Sequence, residues 1–207
     1  MDRKRDLELL VHTTGLRSWT GTNAKRYNRA ESTPYKALDD FFKCYEVSED
    51  DVFVDFGAGR GRTSFYVHNR FGIPVRGVEL HELTFDDLVK NERHYLRAKG
   101  LEFSNIYFEF GYAEQYQIQE DENIFYFFNP FSVGIFREVV ANILASLEKN
   151  PREADLILYF PENAFKKFME HETPFKRLKT IRLPWKAHPK KKFIVYRYTP
   201  EINEDEE

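Results

Sequence analysis

Short apolar runs alternate with longer amphipathic segments along most of this chain. Five runs predict strands that are buried in a sheet, and they cover residues 52–56, 75–79, 106–110, 124–128 and 155–160. Between these runs, apolar residues recur at helical spacing over about 62–70, 83–99 and 135–147. Because parallel strands need crossover connections of this length, the order predicts an α/β fold with helices on both faces of a sheet.

Two further runs near the C-terminus, 177–183 and 193–198, predict strands joined by a polar loop, which favours an antiparallel hairpin. The predicted architecture is a three-layer α/β/α sandwich around a doubly wound, mostly parallel, seven-stranded sheet that ends in this hairpin. Residues 1–48 are expected to form an N-terminal helical arm or lid, with a helix beginning at Thr33-Pro34. Residues 199–207 form an acidic tail.

The turn after the first strand carries the most information about function. Its glycines, Gly57, Gly59 and Gly61, stand at alternate positions and let the backbone approach a ligand closely. The dinucleotide fingerprint requires glycines at positions one, three and six, and the sixth position here is Arg62. The spacing therefore argues against a nicotinamide-dependent oxidoreductase.

Three other predicted strands end in residues that can bind a ligand. Glu79 ends the second strand, where a carboxylate can accept hydrogen bonds from both hydroxyls of a ribose. The alternative is a solvated residue, and we favour the ribose role because Glu79 follows the glycine turn. The third and fourth strands lead into the turns 111–114 and 129–131. Since ligands of open parallel sheets bind outside the carboxyl ends of the strands, we expect these turns to meet at one site.

The Asp-x-Gly-x-Gly-x-Gly pattern together with Glu79 resembles the first motif of class I S-adenosylmethionine-dependent methyltransferases. The resemblance covers about residues 52–198, so residues 49–198 are expected to be a methyltransferase domain that binds S-adenosylmethionine. The cofactor-binding residues that it implies are Asp55, Gly57, Ala58, Gly59, Gly61, Glu79, Leu80, Tyr112, Ala113 and Asn129.

Recognition of adenine departs from the family pattern. Tyr112 stands where the family often has an aspartate that binds the adenine amino group. Two alternatives are open: Tyr112 stacks on the ring while a backbone N–H near Ala113 meets the adenine edge, or Glu114 substitutes for the aspartate.

The segment Asn129-Pro130-Phe131 is similar to the Asn-Pro-Pro-Tyr/Phe motif of amino-group methyltransferases, with one proline fewer. The similarity implies catalytic roles for all three residues: Asn129 and the Pro130 carbonyl hold the target amine, and Phe131 stacks on its plane. The acceptor would then be an amino nitrogen of RNA, DNA, a protein or a small molecule. The alternative is a turn that merely closes over the cofactor, since Asn and Pro are ordinary turn residues.

Two arginines of the glycine turn and one tyrosine before the first strand have more than one expected role. Arg60 and Arg62 are candidates to bind the cofactor carboxylate or a substrate phosphate, or else they face solvent. Tyr35 either packs the N-terminal helix on the domain, which we favour, or closes over the methionine part of the cofactor.

Composition narrows the class of protein. Aromatic residues make up 16% of the chain, and their positions favour a Phe-rich core over aromatic walls around a flat ligand. One cysteine, Cys44, leaves no intrachain disulfide and no Cys-cluster metal site, and no metal is expected. Because no apolar run approaches the roughly 20 residues of a membrane helix and no signal peptide is evident, we expect a cytoplasmic protein without membrane contact.

The net charge of −3 conceals a strong asymmetry. Residues 166–198 contain eleven Lys or Arg and two acids, whereas residues 199–207 contain five acids and no base. The basic segment 176–192 can contact nucleic acid. It can also protect a sheet edge from aggregation or be neutralised by the acidic tail. The alternative function is accordingly a non-catalytic nucleoside- or nucleic-acid-binding module with a methyltransferase-like fold.

Overall fold

A computed structural model describes residues 2–101, 105–183 and 190–201, and seven strands and six α-helices lie within them. The strands are β1 Phe53–Phe56, β2 Val75–Glu79, β3 Ile106–Phe110, β4 Ile124–Phe127, β5 Ala154–Tyr159, β6 Lys176–Arg182 and β7 Lys192–Tyr198. The helices are α1 Asp2–Glu8, α2 Tyr35–Phe41, α3 Arg62–Phe71, α4 Glu82–Lys99, α5 Val133–Lys149 and α6 Asn163–His171. The loop residues 184–189 and the acidic positions 202–207 considered above lie outside the described residues.

All seven strands form one sheet in the order β3-β2-β1-β4-β5-β7-β6. The first five strands pair in parallel, and β7 runs antiparallel between β5 and β6. The mostly parallel sheet and its C-terminal antiparallel hairpin are therefore confirmed. Because the strand order reverses between β1 and β4, the crevice of the sheet opens above the carboxyl ends of these two neighbours.

Alternate residues of the central strands supply two cores, one on each face of the sheet. Phe53 and Tyr126 point into a core shared with α2, α3 and α4, whereas Val54 and Phe125 point into one shared with α5 and α6. The largest fully buried side chains of the described residues are all Phe or Tyr, which confirms the expected Phe-rich core. Full burial of one such ring contributes roughly 1.5–3 kcal/mol to the free energy of unfolding, so these aromatic residues stabilise both cores.

Helix boundaries agree closely with the periodicity, apart from one helix that the pattern did not single out. Helix α6 buries Phe165, Phe168 and Met169, which have helical spacing within a charged segment. The ring of Phe165 stacks on Phe136 of α5 with centroids 4.1 Å apart. This contact places α6 on the same face as α5.

Two of the five predicted parallel strands end one residue earlier than expected, and the difference shapes the functional site. The apolar runs predict that β4 ends at Phe128 and β5 at Phe160, but both residues lie beyond the last strand residue. The backbone leaves the extended region because Asn129 and Phe160 have φ values of +40° and +52°. Both aromatic side chains consequently reach a cleft above the sheet.

After α1, residues 9–34 run across the sheet edge where the parallel strands end, and we call them the crossing segment. A bridge between Arg17 and Ala30 folds it into a loop, and a second bridge pairs Tyr27 with Phe131. Helix α2 then packs into the core through Leu38 and other apolar residues. In the described part of the chain, no helix is long and apolar enough to cross a membrane.

Candidate functional site

Three neighbouring cavities lie at the carboxyl ends of the parallel strands, beneath the crossing segment. Two of them share Glu31, Gly57 and Phe128 as lining residues, and we call these two together the narrow groove. The narrow groove is lined at one end by Glu79, Leu80, His81, Gly111 and Ala113, and at the other by Asp55, Gly57, Ala58, Gly59, Arg60 and Arg62. The wide cleft has a volume of about 730 Å³, and its lining includes Trp19, Tyr27, Asn28, Arg29, Phe128, Asn129, Tyr159, Phe160, Glu162 and Lys191. Glu31 and Phe128 line the wide cleft and both ends of the narrow groove.

The three glycines of the β1 turn have different tasks. All have positive φ, but a Cβ on Gly57 would lie 2.4 Å from the Pro130 Cβ, and one on Gly61 would lie 2.5 Å from Phe65. A Cβ on Gly59 would meet no atom within 4 Å. The first and third glycines therefore permit close packing of the protein itself, whereas the backbone at Gly59 borders open space that a ligand can fill.

Asp55 is a buried acid at the end of β1. Its carboxylate accepts a hydrogen bond of 2.8 Å from the Ser64 hydroxyl on α3. Burial raises the pKa of Asp55 to about 7, and the nearby charge of Glu79 adds to this rise, whereas the Ser64 bond opposes it. The carboxyl group thus links the end of β1 to the first turn of α3.

Glu79 joins the end of β2 to the glycine turn. One carboxylate oxygen accepts from the Gly59 N–H at 2.9 Å, and the other accepts from the His81 N–H at 2.7 Å. Burial raises the pKa of Glu79 to about 7 against the opposing effect of these backbone donors. The carboxylate is thereby fixed in the lining of the groove, and each of its oxygens has a lone pair for a further donor.

Trp19 and His81 are site residues that the sequence did not identify. The Trp19 ring lies 4.7 Å from the His81 ring and 5.1 Å from the Tyr27 ring, measured between centroids. The buried Nδ1 of His81 has no hydrogen-bond partner among the described residues. An aromatic wall with an unpaired ring nitrogen therefore borders the groove above Glu79. Trp19 stands in an aperiodic polar segment, so no pattern pointed to it.

The turn after β4 is braced by neighbouring elements. Asn129 donates from its side-chain amide to the Phe160 carbonyl at 2.5 Å, which joins the ends of β4 and β5. Asn28 of the crossing segment donates from its backbone N–H to the Pro130 carbonyl at 3.0 Å and from its side chain to the Asn129 carbonyl at 2.8 Å. One residue of the crossing segment thus holds both carbonyls of the Asn-Pro turn.

The two residues that are expected to stack on a ligand, Phe131 and Tyr112, differ in their exposure. Phe131 is 3% exposed and packs edge-on against Phe127, while it also borders the narrow groove. The aromatic residue of the turn after β4 that lines the wide cleft is Phe128 rather than Phe131. Tyr112 is 42% exposed, and the groove lining contains its neighbours Gly111 and Ala113. The stacking roles of Phe131 and Tyr112 remain predictions from the family pattern.

The arginines of the glycine turn anchor the N-terminal region, so the alternative that they face solvent is wrong. Arg60 donates to Asp87 at 3.0 Å and to the Gly15 carbonyl at 3.2 Å. Arg62 is 4% exposed, pairs with Asp2 at 2.8 Å and donates to the Thr13 hydroxyl at 2.6 Å. These contacts attach both α1 and the crossing segment to the glycine turn.

Tyr35 packs the N-terminal region on the domain, as we favoured from the sequence. Its side chain is fully buried at the start of α2, and its hydroxyl donates to the buried Asp6 of α1 at 2.8 Å. The Arg62 guanidinium lies over its ring, 4.8 Å from the centroid. The ring therefore belongs to the anchor of α1.

Comparison with known proteins identifies the fold. No protein-family model matches the chain, and no curated protein sequence matches it. Among solved structures, it is similar to an RNA methyltransferase from Salinibacter ruber in complex with S-adenosyl-L-homocysteine, with 19% identity, a TM-score of 0.55 and coverage of 84% of this chain and 98% of that one.

Two further structures extend the likeness. An rRNA methylase from Streptococcus thermophilus has 16% identity and a TM-score of 0.55 and covers 79% of this chain and 95% of its own. A precorrin-6y C5,15-methyltransferase from Geobacter metallireducens has 12% identity and a TM-score of 0.56, with coverage of 82% and 90%. The chain therefore has the class I, Rossmann-like fold of S-adenosylmethionine-dependent methyltransferases.

Proposed function

We propose that this protein is an S-adenosylmethionine-dependent methyltransferase whose acceptor is an amino nitrogen. The observation that carries the proposal is the meeting of the narrow groove and the wide cleft. The narrow groove contains the glycine turn and Glu79, which match the family motif, and it shares the lining residue Phe128 with a cleft bordered by Asn129. A donor in the groove and an acceptor in the cleft would therefore be brought together, which is the main requirement for direct transfer.

Two features of the narrow groove support this cofactor. Open space above Gly59 admits a ligand against the backbone, and the buried carboxylate of Glu79 is suited to accept hydrogen bonds from two ribose hydroxyls. When bound, the sulfonium of S-adenosylmethionine supplies a methyl group that is already activated. Asp55, Ala58, Leu80 and Ala113 would complete the binding surface, as the family pattern implies.

Asn129 is the proposed acceptor-binding residue. Its side-chain nitrogen donates to Phe160, which leaves the amide oxygen as the group that accepts from a substrate N–H. The Pro130 carbonyl already accepts from Asn28, and its second lone pair is the other proposed acceptor. Two oxygens that accept the hydrogens of an amine orient the nitrogen lone pair toward the donor.

We further propose that the acceptor belongs to a nucleic acid such as RNA. Lys191 lines the wide cleft, and the adjacent Lys192 lies among Lys166, Arg177 and Arg182, whose charges together with burial lower its pKa. A lysine in an aromatic cleft, next to a basic strand, suits a phosphate backbone with an unstacked base. Two of the similar structures are an RNA methyltransferase and an rRNA methylase, which supports this choice. The cytoplasmic location and the domain limits stay predictions from the sequence.

The test is transfer of radiolabelled methyl from S-adenosylmethionine to separate fractions of total RNA, protein and small molecules. We expect label in the RNA fraction, transfer that falls with added salt, and loss of label with Asn129→Ala. Label confined to protein or small molecules would contradict the RNA proposal alone. Cofactor binding without label in any fraction would favour the non-catalytic alternative.

A further inference from the structure

Glu31 occupies the junction of the narrow groove and the wide cleft. It lines the wide cleft and both ends of the narrow groove, a position that it shares with Phe128. If the proposed function holds, the methyl group must pass between donor and acceptor where the cavities meet. Glu31 is therefore the acidic side chain at the transfer point.

The backbone around Glu31 is fixed on both sides. Ala30 exchanges two backbone hydrogen bonds with Arg17, at 2.8 and 3.2 Å. On the other side, the Ser32 hydroxyl donates to the Thr13 carbonyl at 2.7 Å, and the Thr33 hydroxyl is bonded to the Tyr126 hydroxyl at 2.7 Å. A side chain between such anchors is held at the opening without being part of the core.

The charge of Glu31 acts on the cleft. Its ion pair with Arg29, at 3.1 Å, is half-exposed on both sides and so contributes little to folding. Burial raises the pKa of Tyr159 to about 12, and among the described residues the charge of Glu31 adds to this rise. Glu31 thus places negative potential at the wall formed by Tyr159, beside the Phe128 ring.

We propose that Glu31 recognises the positive charge on the methyl donor, an inference that rests on the proposed function. A sulfonium carries a formal charge, which a carboxylate attracts and which the face of an aromatic ring also attracts. Transfer of the methyl group leaves a neutral thioether. Glu31 would therefore favour the donor over the product in the groove and promote release of the product.

The test compares the affinities of S-adenosylmethionine and S-adenosylhomocysteine by calorimetry. With Glu31→Gln, which keeps the shape and removes the charge, we expect affinity for S-adenosylmethionine to fall roughly tenfold while affinity for S-adenosylhomocysteine stays within about twofold. Glu31→Asp should retain most of the preference. Glu82→Gln is the matched control, since Glu82 is an exposed acid beside the groove, and it should change neither affinity.

The outcomes separate this inference from the proposed function. Equal loss of both affinities in Glu31→Gln, or no change in either, would overturn the role of Glu31 while leaving the cofactor assignment intact. Wild-type protein that binds neither compound would overturn both. Matching thermal unfolding curves for wild-type and variant proteins would show that the fold is retained, so that a selective loss reports on charge.

Discussion

Asn129 and Phe160 both have left-handed backbone conformations, and the side chain of the first donates to the carbonyl of the second at 2.5 Å. Such a conformation costs a residue other than glycine about 1–2 kcal/mol. The two residues follow neighbouring parallel strands, so their strain is concentrated at the carboxyl edge of the sheet. The resulting turns place Phe128 and Phe160 in the wide cleft, which is the geometry that a binding site requires.

Replacement of Asn129 should separate catalysis from cofactor binding. Asn129→Ala removes the tie to Phe160 and the proposed acceptor oxygen, so we expect methyl transfer to fall at least about 100-fold while affinity for S-adenosylmethionine changes little. Asn129→Gly loses the same groups but relieves the backbone strain, and it should be about 1 kcal/mol more stable than the alanine variant. Transfer assays, calorimetry and urea unfolding measure the three quantities. Substantial activity in either variant would rule out the acceptor role.

The glycine turn offers a matched pair of substitutions. Gly57→Ala brings a Cβ against Pro130, so overpacking and strain at positive φ should together destabilise the fold by about 2–4 kcal/mol. Gly59→Ala has only the strain, about 1–2 kcal/mol, but its methyl group enters the proposed cofactor space. Urea unfolding should rank Gly57→Ala as the less stable variant. Full cofactor affinity in Gly59→Ala would contradict the close approach of a ligand at that residue.

Removal of Arg62 should release the N-terminal region. The guanidinium neutralises Asp2 and lies 3.7 Å from the buried Asp6, so Arg62→Ala leaves a buried carboxylate without its cation and should cost about 3–5 kcal/mol. Limited proteolysis is expected to cleave within the crossing segment sooner than in wild type. Arg93→Ala, an exposed position on α4, is the control. An Arg62→Ala protein as resistant as this control would show that α1 is held by other contacts.

The buried carboxyl groups predict a pH dependence of stability. Burial raises the pKa values of Asp55 and Glu79 to about 7, from 3.8 and 4.5. The folded state therefore binds more protons than the unfolded state between these limits, and the contribution of the two groups to stability is lost as pH rises through that window. The free energy of unfolding should therefore fall between pH 5 and 8. Asp55→Asn and Glu79→Gln should each reduce this fall by on the order of 2 kcal/mol or more, as measured by urea unfolding. Unchanged slopes would contradict the raised pKa values.

Much of the fold followed from the sequence because it depends on local patterns. Buried parallel strands read as apolar runs, and their order with the intervening helices determines the sheet. The glycine turn and Glu79 can also be predicted from the sequence, because their expected roles depend on residue spacing and on a position at the end of a strand. The α-helix that the pattern does not predict, α6, is short, and its three buried apolar residues stand among charged ones, so its helical periodicity is weak.

The remaining site residues come from contacts between distant parts of the chain. Trp19, Asn28 and Glu31 belong to the crossing segment, which has no periodicity and gains its position from Arg60 and Arg62. The glycine turn marks both arginines as candidate site residues, but their partners lie 27 to 60 residues away. Sequence spacing does not contain that information, and only the folded arrangement reveals which residues meet.

The central claim is that the narrow groove binds S-adenosylmethionine through Glu79. Calorimetric titration of the purified protein with this compound tests it most directly, with Glu79→Ala as the site variant and Glu138→Ala, an exposed position on α5, as the control. The account predicts saturable, one-to-one binding in wild-type and control proteins that is lost in Glu79→Ala. Absence of binding in the wild type, or undiminished binding in Glu79→Ala, would contradict it.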